Sequence, residues 1–125
     1  MGTAAEHKSK AEHNHAFMLT IADEYPDWLA TAAFYVAVQF IEQLLAESGK
    51  HSKDHHQRNT SVRSDFPSIH APYKALYNAS LVARYDDPDD VLPIKEVRDV
   101  LVGKKLDHIM KFVRSHLKAS GPEAT

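Results

Sequence analysis

Residues 26–49 read PDWLATAAFYVAVQFIEQLLAESG, and this stretch decides the fold. Pro26 suits the first turn of a helix, where its missing N–H would have no partner anyway. From Asp27 to Glu47, Trp28, Leu29, Phe34, Tyr35, Val36, Val38, Phe40, Ile41, Leu44 and Leu45 fall on nearly every side of a helical period. A helix apolar on most sides belongs in the middle of a bundle, covered by several neighbours. Gly49 stands where a left-handed C-cap would end it.

Outward from this helix, the punctuation marks further helices. Thr3 and Glu6 have capping-box spacing and predict a helix over residues 4–22, with Ala11, Met18 and Ala22 on one side and Phe17 and Ile21 beside them. Residues 50–66 (KHSKDHHQRNTSVRSDF) are polar; Ser52 is placed to cap a short helix whose Val62 and Phe66 face inward, and Pro67 stops it. Pro72 opens the next helix, where Tyr73, Leu76, Tyr77, Ser80, Leu81 and Arg84 keep the helical period until the acidic run Tyr85–Asp90. Pro93 starts the last, with Ile94, Val97, Leu101, His108 and Phe112 on its stripe and Ile109, Val113 and Leu117 alongside. Gly121-Pro122 ends it, and the tail is expected to fray. No stretch alternates strictly enough to read as a strand. The expected architecture is all-α: one domain over residues 1–125, an antiparallel up-and-down helical bundle of four main helices plus one short helix.

Composition narrows the function. With 125 residues and no cysteine, the chain has no disulfide framework, thiolate nucleophile or sulfur-ligated metal site. Lys plus Arg number 15 against 17 Asp plus Glu, so any grip on nucleic acid needs a local patch. The polar N-terminus is no secretory signal, and the apolar run Leu29–Phe40 falls short of the roughly 20 residues of a membrane span. The chain is therefore read as cytoplasmic, without membrane contact and without a cofactor.

Nine histidines are the compositional oddity. Between Lys50 and Arg63 four cations (Lys50, Lys53, Arg58, Arg63) face one acid, Asp54. On a helix there, His55 and Arg58, three residues apart, are neighbours. An imidazole beside a fixed guanidinium suits phosphate chemistry, since Arg holds phosphate bidentately and His can move a proton near neutrality. The plain alternative is a solvated cationic connector. His7, His13 and His15 with Glu6 and Glu12, or His51 with His55, lack a third ligand of fixed spacing, so no metal site is expected. His108, on the apolar stripe, reads as a core histidine. Asp86, Asp87, Asp89 and Asp90 read as acidic residues complementing the start of the last helix. Lys104 and Lys105 lie too early in the last helix to be explained by its C-terminal dipole, and could form a phosphate-binding groove with the 50–63 segment.

The run Phe34–Ala46 (FYVAVQFIEQLLA), closed by Gly49, resembles the signature helix of the HEPN family, the higher eukaryotes and prokaryotes nucleotide-binding domains. His55, six residues after Gly49 and followed by Arg58-Asn59, stands where that family carries a histidine. Leu76-Tyr77 and Leu81–Asp86 (LVARYD) resemble its later helix end, so that the likeness spans residues 11–117. The resemblance implies a helical bundle that commonly forms a homodimer. It also implies one of two activities. One is metal-independent RNA cleavage, of toxin or defence type, by an arginine and a histidine four to six residues on. The other is binding of RNA or nucleotide, or of a nucleotidyltransferase or antitoxin partner. Arg58 has no histidine at that distance; Arg63 and His70 have six residues between them, with Pro67 inside. The catalytic candidates are His55 as acid/base, Arg58 and Arg63 on phosphate charge, and His70. The RNA- or nucleotide-binding candidates are Lys53, His55, Arg58, Asn59 and Lys104.

Overall fold

The computed structural model describes residues 2–85 and 92–120. The acidic run after Tyr85 and the end of the tail, both read from sequence above, lie outside the described residues. Every regular element among those described is helical.

Helix α1 (Ala4–Met18) opens with the expected capping box: Glu6 N–H donates to Thr3 Oγ1 at 3.1 Å, and Thr3 N–H donates to Glu6 Oε1 at 3.0 Å. It stops four residues earlier than its pattern predicts. Both the N–H and the hydroxyl of Thr20 donate to the carbonyl of Phe17, closing a turn in place of the next helical bond and folding Ile21 into the core.

Helix α2 (Pro26–Glu47) runs through the centre, packed against α1, against the helix that holds residues 70–85 and against the helical run over residues 97–120. It is long and apolar enough to cross a membrane by length and composition, yet 72% of its most apolar window is buried inside the protein, as suits a central core helix. Its end is the predicted one. Gly49 takes φ 75°, and Gly49 and Lys50 donate back to the carbonyls of Ala46 and Leu45, which is the Schellman arrangement.

Helix α3 (His55–Asp65) is capped by Asp54, whose Oδ1 accepts from Gln57 N–H at 2.8 Å, rather than by Ser52. A 3₁₀ turn, Pro67–Ile69, leads into α4 (His70–Tyr85). That helix starts two residues before Pro72. The proline occupies the first turn, where it costs no hydrogen bond.

The last helix is one run with three windings: α5 (Ile94–Glu96), a π-helical stretch over Val97–Leu106, and α6 (Asp107–Ser120). A π turn takes more residues than an α turn, so each residue rotates less. Over ten residues the face drifts by roughly half a turn. This overturns the expected place of His108, which is exposed, while Leu106, Ile109, Met110 and Val113 fill the core. Arg98 ties this helix to the α1–α2 turn, pairing with Asp23 and donating to the Ile21 carbonyl at 2.7 Å.

Phe34 is the hub of the ring packing, within 6 Å of the rings of Tyr35, His55, Tyr73 and Tyr77. Truncation there would leave a cavity shared by α2, α3 and α4. Phe34→Ala should cost about 3–5 kcal/mol in urea denaturation; a loss under about 1 kcal/mol would contradict this packing.

Candidate functional site

The site is built around a carboxylate in an otherwise apolar place. Glu42, 6% exposed, sits in the C-terminal half of α2, and Arg58, 9% exposed, reaches it from α3. Arg58 Nε donates to Glu42 Oε2 at 2.7 Å, and the other oxygen accepts from Ser52 N–H at 3.3 Å. Ser52 thus lies in the site's backbone instead of capping a helix.

Arg58 Nη1 donates to His55 Nδ1 at 2.7 Å. A guanidinium only donates, so Nδ1 is bare and the His55 proton sits on Nε2. Burial, then Arg58, then Arg84 hold the imidazole below its usual pKa, with Asp54 opposing them. Burial works against the Arg58 charge, but the Glu42 bond and the nearby Tyr73 hydroxyl outweigh it and the pKa rises. The Tyr73 hydroxyl is pushed up by burial, against the pull of Arg58. His55 is therefore a neutral donor wedged between the rings of Phe34 and Tyr77, and the charge of Arg58 is neutralised by Glu42.

Above this pair lies a cleft of about 630 Å³ between α1, α2 and the start of α3. His55, Arg58 and Gln39 contribute polar groups to it, Lys10 and Asn14 reach it from α1, and Phe17, Trp28 and Tyr35 form aromatic walls. Trp28 is 63% exposed and Phe17 60%. A smaller hollow of about 180 Å³ opens elsewhere against Arg58 and Glu42, lined also by His7, His51 and Ser52. His7 Nδ1 donates to Gln39 Oε1 at 2.8 Å, so one of the amino-terminal histidines is tied to α2. Among the described residues no three His, Asp or Glu side chains stand together as metal ligands.

The other sequence-derived candidates divide. His70 Nε2 donates to Asn59 Oδ1 at 3.1 Å, so Asn59 orients a histidine and neither lines the cleft. Arg63 and Lys53 are exposed outside the cleft, and no hydrogen bond joins Arg63 to His70. Lys104 lines a separate groove of about 470 Å³ with Asp107, His108 and Lys111, which contains no residue of the 50–63 segment. Tyr73 is buried in the core, and Tyr85 is 72% exposed.

Glu42, Trp28, Tyr35 and Arg84 escaped the sequence reading. Glu42 had a signal: a lone carboxylate between Ile41 and Gln43-Leu44-Leu45 has to find a cation. Trp28 and Tyr35 had none, because aromatic residues in an apolar helix read as core.

Glu42→Ala alone should cost about 3–5 kcal/mol by leaving Arg58 buried and unpaired, and replacing both residues with Met should recover most of that. A double variant as unstable as the single one would contradict the pairing. For His55 the folded pKa lies below the unfolded value, so on acidification the unfolded chain takes up the proton first. Stability present above about pH 6.5 is then lost as pH falls from there toward the folded pKa. His55→Gln should flatten that part of the stability–pH curve; an unchanged slope would argue against a depressed His55.

No protein-family model matches the chain, and no curated protein or solved structure matches it either.

Proposed function

We propose that the chain is a HEPN-like module, a four-helix up-and-down bundle with one added short helix, that binds a nucleotide or a single-stranded RNA segment in the cleft between α1, α2 and α3. One observation carries this reading: a cleft of about 630 Å³ combines exposed aromatic walls with histidine and arginine below them. That volume falls in the range of small-ligand sites. Aromatic faces stack bases whatever their sequence, and nearby donors meet phosphate.

The geometry favours binding over cleavage. A nuclease needs a cation free to meet the charge of the phosphorane and an imidazole free to take a proton. Arg58 is neutralised by Glu42, and His55 has Nδ1 occupied by Arg58 and Nε2 already protonated. Arg63 and His70 are held apart from this cleft.

A second reading rests on a different observation. Phe17, Leu19, Tyr25, Trp28, Tyr35 and Tyr85 are all exposed, and large exposed apolar side chains also suit a protein interface, with a second copy or with a nucleotidyltransferase or antitoxin partner.

Trp28 is the single tryptophan, so its fluorescence reports on the cleft directly. Adding short single-stranded RNA should quench it, with affinity falling as salt rises. Tyr35→Ala should weaken that binding by about 1–3 kcal/mol. If RNA leaves Trp28 unchanged while light scattering finds a salt-insensitive dimer, the interface reading replaces the nucleotide one.

A further inference from the structure

The walls of the cleft have a direction. On α1, His7, Lys10, Asn14 and Phe17 share one face, and on α2 Trp28, Thr31, Tyr35 and Gln39 share another. The two helices are joined by the turn over residues 19–25 and meet again where His7 bonds Gln39, so they run antiparallel. Phe17 and Trp28 therefore stand at the turn end of the cleft, and Lys10 and Gln39 at the other. Arg58 and Gln39 line both the cleft and the smaller hollow, so they are neighbours. The bond from Arg58 to His55 then brings the start of α3 to that second end.

Hydrogen bonds already made at this end leave it one-sided. An amide oxygen only accepts, so His7 Nδ1 donates to Gln39 Oε1 at 2.8 Å, and Gln39 is left with its Nε2 protons to offer. His55 Nδ1 is taken by Arg58, and only its Nε2 proton remains. Lys10 brings three N–H donors and a charge, and the acid one turn before it, Glu6, is held in the capping box by Thr3. Acceptors lie further along: Asn14, one turn from Lys10 toward Phe17, and Thr31, whose proton goes to the Asp27 carbonyl.

We propose that Lys10, Gln39 and His55, one from each of three helices, form a phosphate subsite, and that the ligand is a nucleoside monophosphate whose base packs against Phe17 and Trp28. A phosphate dianion offers acceptors and charge and no donor, which matches an ammonium set beside two neutral N–H groups. The aromatic end suits the base, because every base has a face to stack. The proposal rests on the cleft being a nucleotide site and fixes which end of it takes the phosphate. Arg58, its charge met by Glu42, acts beneath the subsite by orienting His55. Two of the three contacts come from α1 and α2, outside the polar 50–63 segment in which spacing alone placed them.

The test compares adenosine with adenosine monophosphate, each titrated into the full chain and followed through Trp28 fluorescence. The wild type should bind the monophosphate about tenfold or more tightly than the nucleoside. Gln39→Glu keeps an oxygen for His7 but puts a second, charged oxygen where the amide nitrogen stood, and should cut the preference to about twofold or less. Lys10→Gln should also reduce it, and Lys10→Arg should retain most of it. The ratio of the two affinities is the readout, so a change in base packing common to both compounds cancels. Circular dichroism checks the helicity of each variant, and Lys10 is exposed, so its substitution tests the subsite even where Gln39→Glu disturbs packing. If either folded variant, Gln39→Glu or Lys10→Gln, keeps the full preference, or the wild type binds the two compounds equally, the subsite is overturned while the cleft remains a base-binding site. If neither compound binds the wild type, this proposal falls; if single-stranded RNA is also silent, the nucleotide reading falls with it.

Discussion

A carboxylate placed inside the most apolar helix of the chain has to be matched by a cation, and the local architecture follows from that requirement. Glu42 cannot be hydrated where it sits, so Arg58 must come to it. Arg58 can do so only if α3 begins close to α2, which the Schellman end at Gly49 and the Asp54 cap arrange. Ser52 is drawn in by its N–H on the other carboxylate oxygen. A buried ion pair of this kind adds little net stability over an apolar pair, but it fixes register, because every misplacement strands a charge. Here the register it sets is that of the connector between α2 and α3.

The same pair determines the chemistry available in the cleft. By holding Arg58, Glu42 orients the remaining guanidinium donor onto His55, and that bond decides which ring nitrogen carries the proton. Phe34 and Tyr77 close on the imidazole and keep it in low dielectric. The result is a neutral donor over a neutralised ion pair, beside Tyr35, whose hydroxyl accepts from Arg84. Such a floor offers a hydrogen-bond donor and holds no group free to exchange a proton. The exposed rings of Trp28 and Tyr35 supply the apolar contact.

Much of the fold was legible because its signals are local. The Thr3–Glu6 box, Pro26 and Gly49 each state a backbone requirement within a few residues, and each is met. The all-α class followed from α2 itself. What sequence missed depended on competition or on accumulated geometry. Thr20 diverted the end of α1 through its hydroxyl, and Asp54 displaced Ser52 as a cap because Ser52 was recruited by Glu42. The π winding of Val97–Leu106 turned His108 outward, which a fixed 3.6-residue period cannot anticipate. Of the candidate site, His55 and Arg58 do meet at the cleft, as their spacing of three allowed. Asn59 and His70 meet each other instead, across eleven residues of sequence. Arg84 and Tyr35, 49 residues apart, carry no sequence signal of their contact.

The most direct test of the central claim is the protonation pattern of the His55 ring, read from two-bond ¹H–¹⁵N correlations of the imidazole. The linkage of Glu42 to Arg58 to His55 predicts a neutral ring at neutral pH, with the proton on Nε2 and Nδ1 in the chemical-shift range of a hydrogen-bond acceptor. A proton on Nδ1, or an imidazolium at neutral pH, would mean that Arg58 does not donate to His55, and the account of the site would be wrong at its base.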